Sequence, residues 1–151
     1  TDDGGYKKMG ESIQYSLQET FPGLTVELKA LPTETALNLG RDSDYDLFLI
    51  YWTPDYKDPI STLKTLYSGN DRNYSNPTYD QLLDDASIKY ANDLEKRWET
   101  LIAAEKEVIE NNPGMIIISQ NQQSVLQNEA IEGLNYHTFA APLTLKNIYK
   151  K

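Results

Sequence analysis

Tyr51-Trp52-Thr53-Pro54-Asp55-Tyr56-Lys57-Asp58-Pro59 follows a strand-like run, Tyr45-Asp46-Leu47-Phe48-Leu49-Ile50, and precedes a predicted helix. Asp58 and Pro59 are the start signal of that helix: an N-cap carboxylate accepts an orphan backbone N–H, and proline at the first helical position sacrifices no hydrogen bond. An aromatic wall, a carboxylate and a sharp turn therefore meet at the C-terminal end of a strand. In open α/β sheets that edge is where ligands sit.

N-terminal to this segment, Tyr6, Met9, Ile13, Leu17 and Phe21 recur at three- and four-residue spacing, predicting an amphipathic helix that Pro22-Gly23 stops. Leu24, Val26 and Leu28 alternate with polar residues as a half-buried strand to about Leu31, and Thr33 caps a short helix through about Leu39. C-terminal to it, the Asp58-Pro59 helix runs to about Tyr67. Asn76-Pro77 repeats the start signal for a helix carrying Tyr79, Leu82, Leu83 and Ala86. Asn92 with Glu95 resembles a capping box opening the longest helix, which carries Trp98, Leu101, Ile102, Glu105, Val108 and Ile109 along one face until Asn111-Asn112-Pro113-Gly114 ends it. Met115–Ser119, Ser124–Gln127 and Leu143–Tyr149 have strand character. Interleaved helices and strands predict an α/β fold, a mixed sheet with flanking helices and two or more parallel pairs, in a single domain over residues 1–151.

The formal charge of −9 makes phosphate backbones and anionic lipid poor partners and a basic ligand group a welcome one. With no cysteine, disulfides and thiolate metal sites are excluded. Apolar runs fall well short of the roughly 20 residues that span a bilayer. The chain starts without methionine and reads as a piece of something longer.

Enzymatic signatures fail one by one. Asp42-x-Asp44-x-Asp46 resembles the start of a calcium loop, yet the sixth and twelfth positions are Leu47 and Thr53 rather than Gly and Glu. His137 is the only histidine and reads as a surface or satisfied one. There is no nucleophile elbow, phosphate loop or dinucleotide fingerprint, so neither a cofactor nor a metal site is expected. Asp55 and Asp58 could form a carboxylate pair of the glycosidase kind, although capping explains Asp58 equally well. Trp98 reads as core, and Asp80, Asp84 and Asp85 as a solvated helix face. Tyr51, Trp52 and Tyr56 fit either a core or a wall; aromatic walls with one placed carboxylate suit a ligand bearing an ammonium group.

The chain resembles the C-terminal lobe of the oligopeptide- and dipeptide-binding proteins of ABC importers, the family 5 extracytoplasmic solute-binding proteins. Matching blocks occur in order: Tyr6-Lys7-Lys8 through Gln14, Pro22-Gly23-Leu24-Thr25-Val26, Tyr45-Asp46-Leu47, Trp52-x-x-Asp55-Tyr56-x-Asp58-Pro59, Tyr74-Ser75-Asn76-Pro77-x-Tyr79-Asp80, Arg97, Ala104-Glu105, and an expected strand after Pro113. The resemblance implies one lobe of a two-lobe periplasmic-binding-protein-like (type II) fold that closes on an oligopeptide and delivers it, as a monomer, to ABC permease subunits. It implies that Asp55 holds the peptide's N-terminal ammonium, that Trp52 walls a side-chain pocket, and that Thr53 lies beside the peptide backbone, with Tyr56 and Tyr51 behind. Some members carry a basic residue on the preceding strand to meet a short peptide's carboxylate; Phe48-Leu49-Ile50 has none, which favours longer peptides. An extracytoplasmic location follows, either a Gram-positive surface lipoprotein or the periplasm. Because the first lobe is absent from the chain, the lone lobe is expected to bind peptide poorly. Alternatives are a same-fold receptor for nickel, haem or a sugar, and a carbohydrate-acting enzyme using Asp55 and Asp58.

Overall fold

Helix α1 (Gly4–Thr20) presents two glutamines that hold the extended run after it. Gln14 donates its side-chain amide to the Val26 carbonyl (2.7 Å), and the Val26 N–H donates to Gln18 Oε1 (2.9 Å). Gly10 lies under Leu28, where a Cβ would come within 2.9 Å of a leucine methyl. These contacts belong to the first of two compact units in the computed structural model, which describes residues 1–2, 4–70, 72–120 and 124–151.

The first unit comprises residues 1–51 and 69–73. Its second helix, α2 (Thr33–Asp42), starts from Pro32 without a side-chain cap, so Thr33 is the first helical residue rather than the cap the sequence suggests. Pro32, with φ already set near the helical value, supplies the stop in extended structure that a cap otherwise marks. Phe48 packs on Gly40, where a Cβ would lie 2.8 Å from the ring.

The second unit, residues 52–68 and 74–151, carries the core. Short helix α3 (Ile60–Leu63) continues as a tight turn through Leu66, and α4 (Pro77–Asp84) packs against α5 (Leu94–Lys106). Ile60, Leu63, Leu66, Tyr79, Leu83, Ala86, Leu101, Ala104 and Val108 are buried together. Tyr79, fully buried, satisfies its hydroxyl by donating to the Leu63 carbonyl at 2.6 Å, and burial pushes its ionisation well above the usual tyrosine range. Helices α4 and α5 each end in a wider π turn, closed by the Tyr90 N–H on the Asp85 carbonyl and the Asn112 N–H on the Glu107 carbonyl.

Asn76 caps α4 as expected, accepting from the Thr78 and Tyr79 N–H groups. The cap of α5 is Asp93, which accepts from the Lys96 N–H, rather than Asn92; the carboxylate one residue later faces the N3 amide. Trp98 is 56% exposed and Ile102 is also exposed, so the buried side of α5 is the Leu101–Ala104–Val108 row. A wide apolar pattern on a long helix permits more than one stripe, and the core of this unit takes only one of them. Asp80 and Asp84 are not simply solvated: they accept from the Ser68 N–H and the Tyr67 hydroxyl and hold the loop after α3.

Regular strands are short. Antiparallel pairs join β1 (Ile131–Glu132) to β4 (Tyr149–Lys150) and β2 (Asn135–Tyr136) to β3 (Leu143–Thr144). The predicted strand Leu143–Tyr149 is thus cut in two by a turn in which the Ile148 N–H meets the Leu145 carbonyl. Among the described residues there is no parallel pair, and Leu24–Leu31, Tyr45–Tyr51, Met115–Ser119 and Ser124–Gln127 have no ladder partner. Strand propensity measures fit to a pleated, half-buried surface and cannot supply the neighbouring strand. Leu47, Ile116, Ile117 and Leu126 are accordingly exposed.

Glu107, buried in the π turn after α5, accepts amide hydrogens from Asn76 (3.0 Å) and Asn111 (2.7 Å) and a third from Asn112. Asn76→Ala removes both a cap and a donor to that carboxylate, and is expected to cost about 2 kcal/mol or more in denaturant unfolding. The amides of Asn76, Asn111 and Asn112, in that order, hold Glu107 below its usual value of 4.5. A depressed carboxylate stabilises the fold above the unfolded value and loses that contribution as pH falls through the folded one. Glu107→Gln should therefore shrink the stability difference between neutral pH and about pH 3, measured by unfolding at both, even though it lowers stability at neutral pH.

Candidate functional site

Between Pro54 and Asp58 the backbone is held by hydrogen bonds while most side chains of the segment are left open. The peptide bond between Pro54 and Asp55 is held on both edges: Ala140 N–H donates to the Pro54 carbonyl at 2.8 Å, and the Asp55 N–H donates to Ser61 Oγ at 2.8 Å. Ser61 is buried in the first turn of α3. Ala140 reaches its partner from a left-handed conformation, φ 56°, in the loop between β2 and β3. These two bonds hold the planar peptide group that precedes the Asp55 Cα.

Asp58 lies three residues on and has a different fate. Both of its oxygens accept from Arg97 Nη2 of α5, at 2.9 and 2.8 Å, and Oδ1 also accepts the Ile60 N–H at 3.0 Å. Helix α3 begins at Ile60, one residue later than Asp-Pro suggested, and Asp58 still caps its first free amide. Both side chains of the ion pair are largely shielded, at 21% and 27% exposure. Asp55, by contrast, is exposed, and among the described residues its carboxylate has neither a hydrogen-bond nor an ion-pair partner. Of the two carboxylates, one is neutralised and structural and the other carries an uncompensated charge.

Trp52 and Tyr56 are about half exposed, and Thr53 is exposed, so these side chains are not core. Tyr51 belongs to the first unit, where its ring stacks on Tyr6 of α1 with centroids 5.4 Å apart and planes 16° apart. His137 is exposed with Nε2 2.8 Å from Thr144 Oγ1. Among the described residues no group of three or more His, Asp or Glu side chains could hold a metal ion, and no helix is long and apolar enough to cross a membrane. A separate open cleft of about 480 Å³ is lined by residues 74–77 and 111–113; its Asn76, Tyr74 and Asn112 groups are engaged with one another and with Glu107.

Ser61 and Ala140 were not singled out from the sequence. A serine two residues after Asp-Pro falls in the first helical turn, where its hydroxyl can serve the preceding loop, and that spacing was a usable signal for Ser61. Ala140 had none, because its backbone N–H acts and its side chain does not.

No protein-family profile matches the chain. A dipeptide-binding protein of Lactococcus lactis subsp. cremoris is 30% identical over 146 residues, covering 92% of this chain and 26% of the relative. The substrate-binding domain of an oligopeptide ABC transporter from Bacillus anthracis superposes with a TM-score of 0.85 at 28% identity, over 95% of this chain and 28% of that one. Listeria monocytogenes OppA, solved bound to peptide, gives a TM-score of 0.80 at 32% identity, over 95% and 27%. The chain spans about a quarter of the length of the curated relatives it matches.

If the two aspartates differ as their contacts say, Asp55→Asn changes unfolding stability by less than about 0.5 kcal/mol. Asp58→Asn should cost about 1–3 kcal/mol, because it strips a shielded ion pair and weakens a cap. Chemical denaturation of the two variants side by side checks this. With the α/β lobe of its two-lobe structural neighbours and homology over nearly its whole length, the chain is a segment of the oligopeptide- and dipeptide-binding protein family of ABC transporters.

Proposed function

We propose that this chain is the C-terminal lobe of the substrate-binding component of an ABC importer, and that it captures oligopeptides in an interlobe cleft with Asp55 holding the peptide's N-terminal ammonium. The observation that carries the reading is the exposed Asp55 carboxylate, unpartnered among the described residues, on a backbone held at both edges of its peptide bond. A carboxylate–ammonium hydrogen bond closed off from water is worth roughly 1.5–3 kcal/mol. Trp52 forms a pocket wall and Thr53 lies along the peptide backbone, with Tyr56 and then Tyr51 as further ligand-binding residues.

Lobe closure is the functional event, and no chemistry is performed on the ligand. The locking of Asp58 by Arg97 supports a non-enzymatic role, since it leaves Asp55 without a second free carboxylate for acid–base work. The exposed apolar runs around Leu47 and Ile116–Ile118 leave surface for the rest of such a protein to cover. Binding occurs outside the cytoplasm, at a lipid-anchored cell surface or in the periplasm, by a monomer that docks on the permease subunits. None of the similar proteins named above is a nickel, haem or sugar receptor.

Calorimetric titration of the full-length protein that contains this chain, stripped of ligand, tests the reading. Pools of four- to eight-residue peptides are run with free and acetylated amino termini, on wild type and Asp55→Asn. Acetylation and the substitution should each lower affinity at least about tenfold, about 1.4 kcal/mol. Equal binding of both pools, or no heat from either, refutes it.

A further inference from the structure

Around Asp55 the backbone is held on both sides of one peptide group, and the segment is anchored again three residues on. Ser61 Oγ takes the N–H of the Pro54–Asp55 peptide and Ala140 N–H meets its carbonyl, each at 2.8 Å. Three residues on, Asp58 is locked by Arg97, which lies 39 positions further along the chain on α5. Ser61 is itself seated in the turn whose first amide Asp58 caps, so Arg97, Asp58, Ser61 and the Asp55 backbone form one continuous run of contacts.

We propose that Ser61 and Arg97 are positioning residues for the ammonium site: they touch no ligand, and they aim the Asp55 carboxylate by fixing the peptide plane before it and the helix start behind it. The proposal rests on the reading of Asp55 given above. A carboxylate on a pre-set backbone loses little conformational freedom on meeting an ammonium, so its bond contributes nearly its full strength to affinity. Arg97 has a second consequence. By neutralising Asp58 it leaves a single uncompensated carboxylate on the segment, which matches a single ammonium rather than a doubly charged cation.

The test separates aiming from folding. Ser61→Ala and Arg97→Lys are each made in the full-length protein that contains this chain, alone and combined with Asp55→Asn. Arg97→Lys keeps the charge and loses the planar fork, so it tests the anchor if the serine variant fails to fold. Each variant is titrated with a hexapeptide bearing a free amino terminus and with the same peptide acetylated. Both substitutions should weaken binding of the free peptide about threefold or more and leave the acetylated peptide unchanged. The effect should vanish in the Asp55→Asn background, where there is no carboxylate to aim. Equal loss for both peptides would show a merely structural role and overturn the proposal, as would unchanged binding by folded variants. If Asp55→Asn does not itself abolish discrimination between free and acetylated peptide, the ammonium reading falls and the positioning roles fall with it. If it does abolish discrimination while Ser61→Ala and Arg97→Lys have no effect, only the positioning roles fall.

Discussion

Asn76 ties the second unit together. Its side-chain carbonyl caps α4, and its amide donates to the buried carboxylate of Glu107 in the turn that closes α5. A charge taken out of water is tolerable only when hydrogen bonds replace its hydration, and here three asparagine amides do so. One side chain therefore fixes the start of one helix against the end of another. The packing of Tyr79 and Leu83 on Leu101, Ala104 and Val108 rests on that registration, as does the direction in which α5 presents Arg97.

From α5 the constraint passes to the segment that carries Asp55. Arg97 holds Asp58, Asp58 starts α3, and Ser61 in α3 holds the backbone of Asp55. Two aspartates three residues apart, chemically alike, thereby acquire opposite roles. A shielded ion pair makes one of them part of the scaffold, while the other faces solvent with its charge unanswered. A rigid support beneath a single open charge is the arrangement expected of a binding group, and it is a poor one for paired acid–base catalysis.

The second unit also leaves apolar surface uncovered. Leu94, Trp98 and Ile102 recur at four-residue intervals on one side of α5 and are all substantially exposed, and Ile116 and Ile117 are exposed beyond it. The amphipathic pattern of α5 was legible as a helix, but the choice of stripe was not. Leu101 and Ala104 won the core because α4 brings Tyr79, Leu83 and Ala86 against that side. Likewise the apolar runs at Tyr45–Tyr51 and Met115–Ser119 were expected as strands, and neither has a ladder partner among the described residues.

What the amino-acid sequence determined by itself is local. Asn76-Pro77 and Asp58-Pro59 set helix starts to within a residue, Asn111-Asn112-Pro113-Gly114 ended α5, and the Trp52–Pro59 block marked the candidate site and its family. These signals reach only a few positions, the range of a cap, a turn or a helical period. Tertiary structure alone decided which aspartate is free, because Arg97 lies 39 residues from Asp58 and Ala140 acts on Pro54 through a backbone amide that no side chain announces. It likewise decided that Glu107 is buried and Trp98 is not, since burial depends on which helix faces arrive opposite each other rather than on the periodicity of either one.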